Sequence, residues 1–177
     1  MSQQSPYNLK ALFRMRREMS AGFYVTDFLF RRIFRQNADT AWAIHHTSTI
    51  HSQDKIVRGK NVFPGDSPGV YINAANGIEL GDYTNIGPNV GLVSTNHDFI
   101  NNDVHVAAQP IVIGRFCWMG MGAVILPGVV LGDFTIVGAG TIVTKSFTDG
   151  YCVIAGNPAR VIKQLNKEEC NAFAESK

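Results

Sequence analysis

The chain has 177 residues and a net charge of +2, with 45% hydrophobic and 17% charged residues. That balance suits a single packed domain and excludes a largely disordered chain. So small a net charge leaves no footprint for nucleic acid, and no apolar run approaches the roughly 20 residues that a spanning helix needs.

Residues 1–40 hold seven Lys and Arg against three acids. Leu9, Leu12, Phe13, Met19 and Phe23 fall near helical spacing, so an N-terminal helical segment is expected over 1–40, broken near residues 20–22. It has two readings. It packs on or caps the rest of the domain, which is the preferred one, or its basic and aromatic residues 8–37 rest on an anionic membrane surface. No signal-peptide pattern precedes it. Cys117, Cys152 and Cys170 are odd in number and have no CxxC spacing. A disulfide framework or zinc site is therefore not expected, and a reducing cytoplasm is.

A six-residue period governs the middle of the chain. Ile113, Met119, Ile125, Leu131, Val137 and Val143 recur in steps of six, often followed by Gly. The fifth places, Cys117, Ala123, Val129, Thr135 and Thr141, are small or β-branched. Leu92, Ile86, Leu80 and Ala74 carry the same phase upstream. Val62, Ile56, Ile50 and Ile44 keep it with poorer fifth places, and Pro68 breaks it, so 44–70 reads as irregular outer coils. One hexad supplies a short strand and a corner, and three close a triangular coil. Such coils stack at about 4.8 Å, the strand spacing of a sheet. The expected fold is an all-β parallel helix over 41–156, with a C-terminal helix over 157–177.

The interval from Leu92 to Ile113 is no multiple of six. The polar stretch 94–110 reads as a loop extruded from a corner, and long loops in compact domains are usually functional. Within it His97 is the best general base, because an imidazole of pKa about 6.5 is mostly neutral at neutral pH. A carbonyl or a carboxylate on its other ring nitrogen would fix the tautomer; Asp98 is a candidate, though as a sequence neighbour it can point away. His105 could line an acceptor pocket. Tyr71, Asn73 and Asn76 are polar candidates for binding an acceptor, with a backbone role in tight corners as the alternative for the asparagines.

The strings PIVIGRFCWMGMGAVILPGVVLGDFTIVGAGTIVTKSFTDGYCVIAGNPARVIK (110–163) and YINAANGIELGDYTNIGPNVGLVSTNHDF (71–99) resemble the hexapeptide-repeat acyltransferases. They look most like the branch with maltose, galactoside and polysaccharide O-acetyltransferases. The resemblance implies a left-handed coil, an exception to the right-handed rule for parallel crossovers. It also implies a homotrimer with active sites in clefts between neighbouring prisms and acetyl-CoA as co-substrate, and no metal is expected. His97 stands where the family places its catalytic histidine. Trp118 matches the Trp along the coenzyme arm, with Gly120 and Gly122 as nearby backbone donors. Ala139, Thr144 and Lys145 match positions along the pantetheine arm. Arg160 and Lys163, expected one helical turn apart, could meet the coenzyme phosphates.

These readings converge on acetyl transfer to a hydroxyl of a sugar or polysaccharide, by direct transfer in a ternary complex. The alternatives are N-acetylation of a nucleotide-linked amino sugar, a zinc hydratase of the γ-carbonic anhydrase kind using His46 and His51, and a non-catalytic scaffold. The hydratase lacks a third histidine upstream, and the intact His97 and Trp118 motifs oppose the scaffold.

Overall fold

The structure, a computed structural model, describes residues 19–177. The part of the expected N-terminal helix that precedes residue 19 lies outside the described residues. Ser20 Oγ accepts the Phe23 amide at 3.2 Å and caps α1 (Ala21–Phe28). A wider π-helical turn follows over Leu29–Ile33. Asp27 and Arg31 pair at 2.7 Å, with both side chains almost fully buried. Arg31 also donates to the Thr40 and Trp42 carbonyls, and Asp27 accepts the Ile44 amide. The helix is thereby locked onto the start of the first coil.

The coils then follow in order. β1 (Thr49–His51) and β2 (Ile56–Arg58) form two sides of the first, whose third side, 59–70, has no strand. β3 (Tyr71–Asn73), β4 (Ile78–Leu80) and β5 (Asn85–Ile86) make the second. β6 (Gly91–Val93) begins the third, which is interrupted by a hairpin of β7 (Asn96–His97) and β8 (His105–Val106). β9 (Ile111–Ile113) and β10 (Trp118–Met119) complete it. β11 (Val124–Ile125), β12 (Val130–Leu131) and β13 (Thr135–Val137) form the fourth, and β14 (Ile142–Val143) and β15 (Cys152–Ala155) the last. Leu131 also bridges in parallel to Phe147.

Strands of like position pair in parallel, giving three sheets. Side one is β1-β3-β6-β11-β14, side two is β2-β4-β9-β12, and side three is β5-β10-β13-β15. The result is a three-sided parallel β-helix. Like residues stack inside it. Ile125 pairs with Val143, Ile113 with Leu131, and Met119 with Val137, each eighteen residues on. All six are at most 1% exposed, and so are the fifth-place residues Cys117, Ala123, Val129, Thr135 and Thr141. The outer coils are longer: Ile50 pairs with Ile72, and Ile72 with Leu92. The extra residues are taken up at corners, so the inward rows survive where the six-residue phase does not.

One corner carries a column of aromatic rings. Tyr83 stacks on Phe116 at 5.0 Å between centroids, Phe116 on Phe134 at 4.8 Å, and Phe134 on Tyr151 at 5.5 Å. All four have positive φ, between 49° and 59°. The left-handed conformation is costly for bulky residues, and coil-on-coil stacking offsets it.

At each end of the stack one strand edge is covered. Asn37 Oδ1 accepts the Ile50 amide at 3.0 Å and its Nδ2 donates to the Ser48 carbonyl at 2.8 Å, so one side chain covers the free edge of β1. At the other end β16 (Arg160–Gln164) runs antiparallel along β15. This corrects the expected helix over 157–177. The free edge of β15 and the β-branched Val161 and Ile162 favour a strand, and the helix α2 is confined to Lys167–Glu175. Asn166 caps it, and Phe173 meets Phe116 edge-on at 5.9 Å. Among the described residues no helix is long and apolar enough to cross a membrane.

Candidate active site

The inserted segment is built as a hairpin. Ser94 and Thr95 at its root are buried, and the Thr95 hydroxyl donates to the Val106 carbonyl at 3.3 Å. Asn76, on the coil beneath, holds both arms. Its Nδ2 donates to the Ser94 carbonyl at 2.9 Å and the Val106 carbonyl at 3.1 Å, while the Ser94 hydroxyl accepts its amide. The two side-chain donors of Asn76 are thus committed to the hairpin, which gives it the structural role in a corner that was the alternative to binding an acceptor.

At the tip side, Asp98 Oδ1 accepts the amides of Ile100 and Asn101, both at 2.9 Å. These two bonds hold its carboxyl below the usual carboxylate range. Asp98 therefore shapes the turn, and the tautomer of His97 is set by another group. His97 Nδ1 lies 2.5 Å from the Asn102 carbonyl oxygen. A carbonyl can only accept, so Nδ1 is the donor, and in the neutral imidazole Nε2 then holds the lone pair. No side-chain pattern could have revealed this partner, because it is a backbone oxygen. His105 stands directly across the ladder from His97, with ring centroids 4.4 Å apart.

Tyr71 and Asn73 lie on the outward face of β3, one rung from Gly91 and Val93, whose strand leads into the hairpin. Tyr71 is 44% exposed and its ring meets His51 edge-on at 5.7 Å. Asn73 Oδ1 accepts the Ala75 amide, leaving its Nδ2 as a donor. His51 is the neighbour that the sequence reading missed. The 22-residue step from Ile50 to Ile72 hides its register beside Asn73. His46 points elsewhere, stacking on Phe30 at 4.7 Å and on His45 at 4.4 Å. Burial, then the His46 neighbour, lowers the pKa of His45.

Most of the expected coenzyme residues lie on or beside side three, whereas Thr144 and Lys145 do not. Trp118 is 52% exposed on the outward face of side three. Gly120 follows at the next corner, where a Cβ would come within 2.8 Å of the Ala139 nitrogen and the Val137 oxygen. Its amide donates to the Val137 carbonyl at 2.8 Å, and that of Gly122 to the Pro88 carbonyl at 2.9 Å. Both amides are taken by the coil stacking, which corrects their expected part as donors to a thioester oxygen. Ala139 is exposed at the same corner. Arg160 and Lys163 lie on β16, opposite Ala155 and Val153, and not a helical turn apart. Thr144 and Lys145 are exposed just after β14, at the corner from which the hairpin also leaves one side of the prism.

Residues 110–145 match the family model described as "Bacterial transferase hexapeptide (six repeats)". A Dictyostelium discoideum protein whose name gives it provisionally as an acetyltransferase is 50% identical over 91 residues, 50% of this chain and 47% of that protein. The chain spans between about half and three fifths of the length of the curated relatives it matches. A maltose O-acetyltransferase of Clostridium difficile 630 is similar in structure, with a TM-score of 0.61 and 30% identity over 68% of this chain and 64% of that one. An N-acyltransferase of Bacillus cereus, solved with dTDP and 3-hydroxybutyryl-CoA, shares the fold at a TM-score of 0.61. It is 22% identical, over 76% of this chain and 87% of that one. The chain thus carries the hexapeptide repeat over residues 110–145 and is similar, in sequence and in its three-sided coil, to acyltransferases built on that repeat.

Proposed function

We propose that the protein transfers an acetyl group from acetyl-CoA to a hydroxyl of a sugar or polysaccharide, with His97 as general base. The observation that carries this reading is the Asn102 carbonyl on His97 Nδ1, which leaves Nε2 as an acceptor on an exposed hairpin. Nε2 takes the proton of the acceptor hydroxyl as its oxygen attacks the thioester carbon. The tetrahedral intermediate collapses with cleavage of the C–S bond. The leaving coenzyme sulfur takes the proton from the imidazolium, and His97 returns to neutral.

The distribution of residues supports a site shared between copies of the chain. The hairpin leaves from the corner between sides one and two, whereas Trp118 faces outward from side three. In a three-sided coil that corner lies across the prism from side three. A cleft holding both therefore joins His97 of one copy to Trp118 of another, as a homotrimer of left-handed coils would arrange. Trp118, Ala139, Arg160 and Lys163 then follow the coenzyme from one wall, and Thr144 and Lys145 from the other. Tyr71 and Asn73, beside the hairpin root, face the acceptor. We place this chemistry in the cytoplasm, where acetyl-CoA and nucleotide-linked sugars are made, and assign no resident metal.

The test is coenzyme-thiol release from acetyl-CoA with a panel of sugars, oligosaccharides and amino sugars. Release that depends on a hydroxyl acceptor and falls by about 10²–10⁴ in His97→Ala supports the reading. Equal turnover in parent and variant removes His97 as the base. Turnover only with amino acceptors replaces O-transfer by N-transfer.

A further inference from the structure

The hairpin gives His97 two neighbours. The Asn102 carbonyl meets one edge of its ring. The ring of His105 covers one face, at 4.4 Å between centroids and a 39° tilt. The two histidines are register partners in an antiparallel pair, the arrangement that brings side chains of one face into contact. Every residue from Phe99 to Gln109 is exposed, so this part of the hairpin has little packing of its own. A histidine on such a strand would turn among its χ1 wells, and its proton would exchange between Nδ1 and Nε2.

We propose that His105 is a positioning residue for His97. Its ring is a wall that confines the imidazole to the rotamer in which Nδ1–H reaches the Asn102 carbonyl, and Nε2 is thereby kept on the open side. His105 accepts no proton in the reaction. The function asked of it is that of a flat ring at van der Waals distance, supplied by residue shape and the cross-strand register. Asn76 and Thr95 serve this arrangement from below, because their bonds to the Val106 carbonyl fix the strand that carries His105. The inference rests on the reading of His97 as base, and moves His105 from the acceptor pocket to the support of that base.

Two variants separate a wall from a proton carrier or a ligand contact. His105→Ala removes the ring, and His105→Phe keeps a flat ring without nitrogen. The first readout needs no acceptor: long-range nitrogen–proton spectra of the imidazoles at a pH above their titration. The parent and His105→Phe should show His97 as the Nδ1–H tautomer. In His105→Ala the two ring-nitrogen shifts of His97 should move toward each other as the tautomers mix. The second readout is turnover. A misplacement on the ångström scale costs up to about 100-fold, so kcat should fall by about 10- to 100-fold in His105→Ala with the KM for acetyl-CoA unchanged. His105→Phe should restore most of it. An unchanged His97 tautomer in His105→Ala overturns the proposal, as does a His105→Phe enzyme as impaired as the alanine variant. Failure of the base reading looks different: His97→Ala would keep its turnover while the tautomer response to His105→Ala persisted.

Discussion

Asn76 and Val106 are thirty residues apart in sequence, yet the side-chain amide of the first donates to the carbonyl of the second at 3.1 Å. The same nitrogen reaches the Ser94 carbonyl, so one residue of the second coil clasps both arms of the hairpin. Asn76→Ala leaves a carbonyl on fully buried Ser94 without this donor, a loss of about 1–3 kcal/mol. Hydrogen exchange should speed up in residues 96–106 while the coils keep their protection. Turnover should fall more than global stability.

Two glycines should respond oppositely to the same substitution. A Cβ at Gly120 meets backbone atoms at 2.8 Å, which have nowhere to move. Gly120→Ala should cost about 1–3 kcal/mol or more. At Gly91 the nearest atoms to a Cβ are those of the Val124 side chain, at 3.5 Å and beyond, and φ is not positive. Gly91→Ala should stabilise by about 0.4–1 kcal/mol, by narrowing the unfolded ensemble. Denaturant midpoints of the two variants check the contrast.

The Asp27–Arg31 pair fixes α1 to the first coil. Asp27→Ala leaves the Arg31 charge in a buried site without this carboxylate, at about 3–5 kcal/mol. With a shift of roughly 2–4 °C per kcal/mol for a chain of this size, the melting temperature should drop by about 6–20 °C. The double variant Asp27→Leu with Arg31→Met should recover only part of the loss, since it removes the buried charge but leaves the Ile44 amide and the Thr40 and Trp42 carbonyls without these side-chain partners.

Burial pushes the Cys117 thiol up to about 12 from an ordinary 9.0. A raised folded value means that the folded state holds its proton longer than the unfolded chain does. The contribution is present in full below pH 9 and is lost as pH rises toward 12. Replacing Cys117 by Ala should flatten the fall in denaturant midpoint over that window. At pH 8 a thiol reagent should reach half-buried Cys170 well before buried Cys117 or Cys152.

Legibility followed coil length. From Ile113 to Val143 every coil has eighteen residues, so a six-residue step lands on an inward position each time. The steps from Ile50 to Ile72 and from Ile72 to Leu92 differ, so His51 and Asn73 could not be seen as neighbours. The aromatic column was in plain view as Gly-Asp-Tyr, Gly-Arg-Phe and Gly-Asp-Phe, but its meaning needed the register. At the C-terminus the expected helix over 157–177 gives way to a strand through Val161 and Ile162. The strand there depends on the waiting edge of β15, which is a tertiary fact. In the hairpin, the extruded segment and its candidate base His97 were readable. The Asn102 carbonyl was not, because every residue has one.

A stack of identical rungs carries no internal instruction to stop. In this protein that instruction comes from outside the repeat, as a single carboxamide at Asn37 and a reversed strand at Arg160–Gln164. The number of rungs is therefore free to vary between these two stoppers without altering any rung. Selection can lengthen or shorten the wall that faces a ligand while the molecule keeps a discrete size and does not grow into fibres.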